Sequence, residues 1–117
     1  MNGHNPCIFC NIIQKKTTAE IIFQDETVTA FKDIHPITPV HILIVPNKHI
    51  GSMDEAVIED EVMIGHMTLV DRHLANQVGI QHSGYRLVIN TGPDAGQSVF
   101  HVHMHLIGGR PMPFRFE

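Results

Sequence analysis

The sequence has no tryptophan, one tyrosine and only two cysteines. Two cysteines are too few for a secreted disulfide scaffold, which carries more of them at wider spacing. No apolar run approaches the ~20 residues of a membrane-spanning helix. The most apolar stretch, His41 to Val45, is short and closed by Pro46. Basic residues are scarce too: 8 Lys+Arg stand against 12 Asp+Glu, a net charge of -4, so the basic face of a general nucleic-acid binder is missing. The start, Met1 to Pro6, is polar and lacks the positive-then-apolar order of a signal peptide. These absences predict a cytoplasmic protein with neither a membrane nor a nucleic-acid partner. Its 117 residues predict a single domain, 1–117, and 43% hydrophobic against 17% charged residues exclude a disordered chain.

What the chain does have is histidine, ten in all, more than its lysines and arginines together. Imidazole is the main nucleophile, proton carrier and metal ligand at neutral pH. The two cysteines form Cys7-Ile-Phe-Cys10. In a reducing compartment Cys-x-x-Cys is a redox dithiol, half of a zinc site, or two small buried residues at helical spacing. No strand precedes the motif, which disfavours a thioredoxin-like dithiol and leaves a metal site in need of two more ligands.

Apolar spacing predicts a short helix over 7–15. Short strands follow at Ile21 to Phe23 and Val28 to Lys32, then a proline-bearing crossover, Asp33 to Val40, and a central strand, His41 to Val45. Ser52-Met-Asp-Glu55 fits a capping box that opens a helical region. In the long helix, apolar residues recur at 63, 67, 70, 74 and 78, with a second row at 58, 62 and 69; the second row meets either a partner subunit or the helix's own core. Gly79 ends the helix, Tyr85 to Asn90 is a strand, and His101 to Ile107 is the last one. Strands in hairpin-like succession without βαβ alternation predict an α+β fold on an antiparallel sheet.

His101-Val-His103-Met-His105 carries the chemistry. On a strand, alternate residues share a face, roughly 6.6 Å apart, so the three imidazoles would meet one substrate or one metal. The preceding loop, Gly92 to Ser98, offers glycines and backbone N–H groups suited to an anion. The pair of features favours a phosphate held against an imidazole nucleophile.

This His-x-His-x-His run, followed by two apolar residues, resembles the signature of the histidine-triad superfamily. Ala30-Phe-Lys-Asp-Ile34, Pro39 to Pro46, Lys48-His-Ile50, Gly84 to Asn90, Gly96-Gln-Ser98 and Gly108-Gly-Arg110 are similar to its nucleotide-binding, or Hint, branch of microbial type. The resemblance implies a five-stranded antiparallel sheet with one long and one short helix, and a homodimer formed through the long helix and the sheet. It implies hydrolysis of purine nucleoside 5'-phosphoramidates through a nucleotidyl intermediate on His103. His105 would bind phosphate oxygens, Ser98 the phosphate or leaving group, and His41 would support the histidine network. Gly96 and Gln97 would contribute loop contacts to phosphate and Asn90 one near the sugar–phosphate junction. Asp33, with Ile34 beside it, would take the ribose hydroxyls, and Phe9, Ile12 and Phe31 would line the purine pocket.

In the microbial relatives a structural zinc is held by two cysteines and two histidines, which correspond here to Cys7, Cys10, His49 and His101; no organic cofactor is implied. The tail from Arg110 to Glu117 departs from relatives that carry a tryptophan near Phe114. The rival reading in the same superfamily, hydrolysis of dinucleoside polyphosphates, goes with glutamine where His105 stands. A purine-nucleotide or zinc-binding regulator with incidental hydrolysis is the alternative from another class.

Overall fold

The β-branched run around Ile42 to Val45 forms the central strand, as its composition predicts. In the computed structural model, which describes residues 6–113, β1 spans Ile21–Gln24, β2 Val28–Lys32, β3 Val40–Pro46, β4 Tyr85–Ile89 and β5 Met104–Gly108. His4 and the tail from Phe114 lie outside the described residues. The strands make one antiparallel sheet in the order β1-β2-β3-β5-β4. A short helix, α1 (Ile8–Ile13), precedes the sheet, and a long one, α2 (Glu61–Gln77), links β3 to β4. The fold is the expected α+β arrangement.

Strand alternation divides the side chains between two faces. Ile42 and Ile44 of β3, Val28 and Ala30 of β2, and Met104 and Leu106 of β5 pack under Met67, Val70 and Leu74 of α2. Phe31, Leu43 and Val45 point the other way, against Phe9 and Ile12 of α1. Each fully buried side chain of this size contributes roughly 1.5–3 kcal/mol. Because α1 has only six residues, it covers part of its face and leaves the rest for a cleft.

The long helix begins later than the Ser52 capping box predicts. Ser52 makes no cap, and two single 3-10 turns, Met53–Glu55 and Ile58–Asp60, precede α2. Ala56 and Val57 are extended, which interrupts the helix between the turns. The Asp60 carboxylate instead closes the second 3-10 turn: it accepts the Val57 N–H at 3.0 Å and the Lys48 ammonium at 2.8 Å, and it makes no cap hydrogen bond to α2. At the far end, Gly79 takes a left-handed φ of 82°. The Ile80 and Gly79 N–H groups then reach the Ala75 and Asn76 carbonyls in a Schellman closure. Of the two apolar rows, the one through 67, 70 and 74 is buried, whereas Ile58, Val62 and Leu69 are exposed. His66, without a role from sequence, anchors α2 to the β1–β2 turn through Asp25 at 2.7 Å.

One buried group opposes stability. Asp71 lies on the inner side of α2 with no exposed surface and, among the described residues, no hydrogen bond to either carboxylate oxygen. Burial pushes its pKa up to about 8. A proton that the folded chain holds and the unfolded chain loses makes stability fall as pH rises from about 4 to 8. Chemical denaturation should show the wild type losing about 2–4 kcal/mol between pH 5 and 8 relative to Asp71→Asn. Equal slopes for the two proteins would exclude an uncharged, buried Asp71.

Candidate active site

The β5 ladder starts at Met104, so His101 and His103 precede it instead of lying on the predicted strand. The Val102 N–H turns to the Ile50 carbonyl at 2.8 Å, which ties this segment to the loop after β3. The expectation that three imidazoles share one site is therefore corrected: His103 and His105 line a cleft of about 340 Å3, while His101 turns to Cys7, Cys10 and His49.

The nitrogens of His103 are differentiated by the backbone. Nδ1 lies 2.8 Å from the His101 carbonyl, an acceptor, so Nδ1 carries the hydrogen and Nε2 keeps its lone pair. The edge of the ring packs on Phe9, with centroids 5.1 Å apart. His41 is fixed in the opposite sense. The Ile37 N–H donates to His41 Nδ1 at 3.1 Å, so Nε2 bears the hydrogen. That hydrogen faces His105 Nδ1 at 2.9 Å and an Asp33 oxygen at 3.4 Å. His105, having accepted at Nδ1, keeps its Nε2–H as a donor. The register explains the contact: Leu43 pairs with His105 and His41 with Ile107, so His41 and His105 are diagonal neighbours on one face.

Burial, reinforced by the neighbouring His103 and His41, lowers the His105 pKa to about 4. Burial also lowers that of His41, against the pull of Asp33. Both rings are neutral at pH 7, which the chain of single hydrogens requires. The three donor atoms of Asp33, His41 and His105 lie within 4.8 Å of one another, yet those hydrogen bonds occupy the facing lone pairs.

The other predicted residues take distinct places. Asp33 and the exposed Ile34 stand at one end of the cleft, Phe9, Ile12 and Phe31 form its apolar wall, and the exposed Ser98 stands at its rim. Asp33 also accepts the His35 N–H at 2.8 Å. Asn90 follows the last β4–β5 pair, Ile89 with Met104. Gly96, at φ 80°, closes the 3-10 turn Pro93–Ala95. Gln97 differs from its expected role. Its amide donates to the Gly51 and Val99 carbonyls at 2.8 and 3.0 Å and accepts the Gly92 N–H at 2.9 Å. Its backbone N–H goes to the Gly92 carbonyl at 3.1 Å, so Gln97 holds the loop's shape and has no donor to spare for phosphate. Sequence reasoning missed Thr17 and Thr18, which also line the cleft. It missed the Ile37 N–H and Pro46 carbonyl as well, main-chain groups that leave no signature in side-chain identity.

Cys7, Cys10, His49 and His101 form a second cluster, with all four donor atoms within 4.8 Å of one another. His101 Nδ1 is 3.2 Å from Cys7 Sγ, 3.5 Å from Cys10 Sγ and 3.1 Å from His49 Nδ1; the last is 3.4 Å from Cys10 Sγ. A tetrahedral zinc shell has edges of roughly 3.3 Å between nitrogens and 3.6 Å between nitrogen and sulfur. The His101 Nε2–H donates to the Pro46 carbonyl at 2.8 Å, which turns the Nδ1 lone pair inward. Cys10 is buried next to Cys7, and its pKa is raised to about 11. These residues could hold a metal ion, and their donor set suits zinc.

The HIT domain family matches residues 14–112. The chain belongs to the HIT domain family. The purine nucleoside phosphoramidase of Escherichia coli K12 is 47% identical over 105 residues, 90% of this chain and 88% of that protein. Among solved structures, a HIT family hydrolase from Legionella pneumophila is 39% identical, with a TM-score of 0.90 over 92% of this chain and 96% of that one. A histidine triad protein from Clostridium difficile is 33% identical, with a TM-score of 0.93 over 97% and 98% of the two chains. In this HIT domain, then, the second and third histidines of the triad serve the cleft and the first serves the cysteine cluster.

Because the folded chain keeps His105 and His41 neutral where the unfolded chain protonates them, stability falls as pH drops from about 6.5 towards 4. Thermal unfolding in an Asp71→Asn background, which removes the opposing titration, should show this decline. Adding His105→Asn should make it shallower; an unchanged slope would argue against a depressed His105.

Proposed function

We propose that the protein is a purine nucleoside 5'-phosphoramidate hydrolase that works through a covalent nucleotidyl-His103. The observation that carries this reading is the hydrogen bond from His103 Nδ1 to the His101 carbonyl, which leaves Nε2 as a free nucleophile in the cleft. The named activity of the Escherichia coli relative supports the substrate class.

His103 Nε2 attacks the α-phosphorus. The P–N bond breaks, and its electron pair leaves on the amine nitrogen, which takes the Ser98 hydroxyl proton while Ser98 takes one in turn from solvent water. The developing imidazolium charge is stabilised by the His101 carbonyl at Nδ1. His105 donates its Nε2–H to a non-bridging phosphoryl oxygen, with His41 holding the His105 tautomer. Water then attacks phosphorus and gives up a proton to solvent, and the P–Nε2 pair returns to His103, releasing the nucleoside monophosphate. Asp33 takes the ribose hydroxyls, Asn90 the sugar–phosphate junction, and Phe9, Ile12, Phe31 and Ile34 the purine. Gly96 lets the loop approach the phosphate, and Gln97 keeps the loop in shape.

Zinc on Cys7, Cys10, His49 and His101 serves as a closed, structural clip that ties α1 to the sheet and supplies no open coordination position. The exposed row Ile58, Val62 and Leu69 and the edge strand β4 serve homodimer formation, in a cytoplasmic protein forming a single domain over 1–117.

Two measurements test the reading. Adenosine 5'-phosphoramidate should be hydrolysed in preference to a dinucleoside polyphosphate, with a rapid-quench nucleotidyl-protein adduct that His103→Ala abolishes along with at least about a hundredfold of the rate. Polyphosphate preference would move the protein to the rival activity, and equal release by the variant would remove the covalent step. Metal analysis of protein purified without chelator should give about one zinc per chain, lost in Cys7→Ser with a lower unfolding temperature. Finding no metal would remove the clip.

A further inference from the structure

A second cavity, of about 520 Å3, lies beside the cleft and has no role in the chemistry described so far. Ile8, Ser98 and Val99 line both, so the two are continuous across Ser98. Beyond that shared rim the second cavity is walled by Pro6, Phe100 and the edge of the metal cluster, Cys7 and His49. Phe100 is 61% exposed and Ile8 48%, which is unusual for large apolar side chains bordering a reaction centre. Among the described residues the lining contains no aspartate, glutamate, lysine or arginine.

We propose that this cavity receives the substituent of the leaving amine, and that it selects uncharged, apolar amines, aromatic ones above all. The inference rests on the phosphoramidase reading. Displacement at phosphorus places the leaving group opposite the attacking atom. With His103 Nε2 as the attacking atom and the nucleoside occupying the end of the cleft at Asp33 and Phe31, the amine departs on the Ser98 side. The Ser98 hydroxyl, which makes no hydrogen bond among the described residues, stands at the crossing point. A substituent several atoms long then passes Ser98 and meets Phe100 and Ile8. An aryl group gains by covering these exposed side chains. A carboxylate or ammonium group would lose solvation there without gaining a charged partner.

The test compares adenosine 5'-phosphoramidates of methylamine, 3-phenylpropylamine, a carboxyalkylamine and a diaminoalkane. The phenyl ring sits three carbons from nitrogen and so leaves the amine's basicity nearly unchanged. The phenylpropyl compound should exceed the methyl one about tenfold in kcat/KM, with the two charged amines no better than methyl. In Phe100→Ala the ratio should fall to about twofold or less, and Phe100→Leu should keep most of it. The unfolding temperature, followed alongside, shows that the fold is retained. A ratio near one in the wild type, a ratio retained in Phe100→Ala, or a preference for either charged amine would overturn the proposal while leaving the hydrolase reading intact. Absence of turnover and of the nucleotidyl adduct with every amine would overturn both.

Discussion

The hydrogen bond between His103 Nδ1 and the carbonyl of His101 is the constraint on which the rest depends. An imidazole with both nitrogens free spends its time in two tautomers and many orientations. Here one main-chain oxygen selects the tautomer and aims the other nitrogen at the cleft. The carbonyl is itself held, because the same residue's side chain is fixed by the Pro46 carbonyl on one nitrogen and by the cysteine cluster around the other. The adjacent Val102 N–H is tied to Ile50. The position of the His103 ring is therefore inherited from a packed, fully buried residue and not from the loop that precedes it.

A similar logic of hydrogens runs through Ile37, His41 and His105. A backbone N–H sets the tautomer of one ring, which sets that of the next, and burial keeps both uncharged. Neutral rings have one donor and one acceptor each, so the chain has a direction. Protonation of either ring would put two hydrogens face to face and break it.

Much of this was legible in the sequence, and the exceptions share a cause. The β-branched run of β3, the inward row of α2 and the glycine closing that helix follow from periodicity and turn chemistry. Strand alternation correctly places His103 and His105 on one side. It fails for His101, because the ladder has not yet begun there and the chain answers to Ile50 instead of a strand partner. It also misplaces the start of α2, which comes after two 3-10 turns and without a side-chain cap from Ser52. The family resemblance gives Gln97 a loop contact to phosphate, yet its amide is consumed by the Gly51, Val99 and Gly92 backbone groups. The decisive partners are main-chain groups, Ile50 for Val102 and Gly51 for Gln97 far away in sequence and Val57 for Asp60 close by, and composition and spacing carry no record of them. The cysteine cluster is the converse. Cys7 and Cys10 are visible as half a site, while the other half is separated from them by 39 and 91 or more positions.

The pairing of β3 with β5 has a further meaning. Leu43 faces His105, and on either side Ile42 and Ile44 face Leu106 and Met104. The sheet thus acts as a reading frame in which Met104 and Leu106 of β5 build the core while His105 faces the cleft. A slip of one residue would leave the composition and nearly all the backbone hydrogen bonds intact while exchanging an imidazole for a thioether or an isobutyl group in the cleft. The same slip would drive the imidazole in among Met67, Val70 and Leu74 and away from the His41 hydrogen that it accepts in the cleft. Core and cleft are locked to one frame, so a chain that folds with its core filled has, by that fact alone, His105 turned towards the cleft.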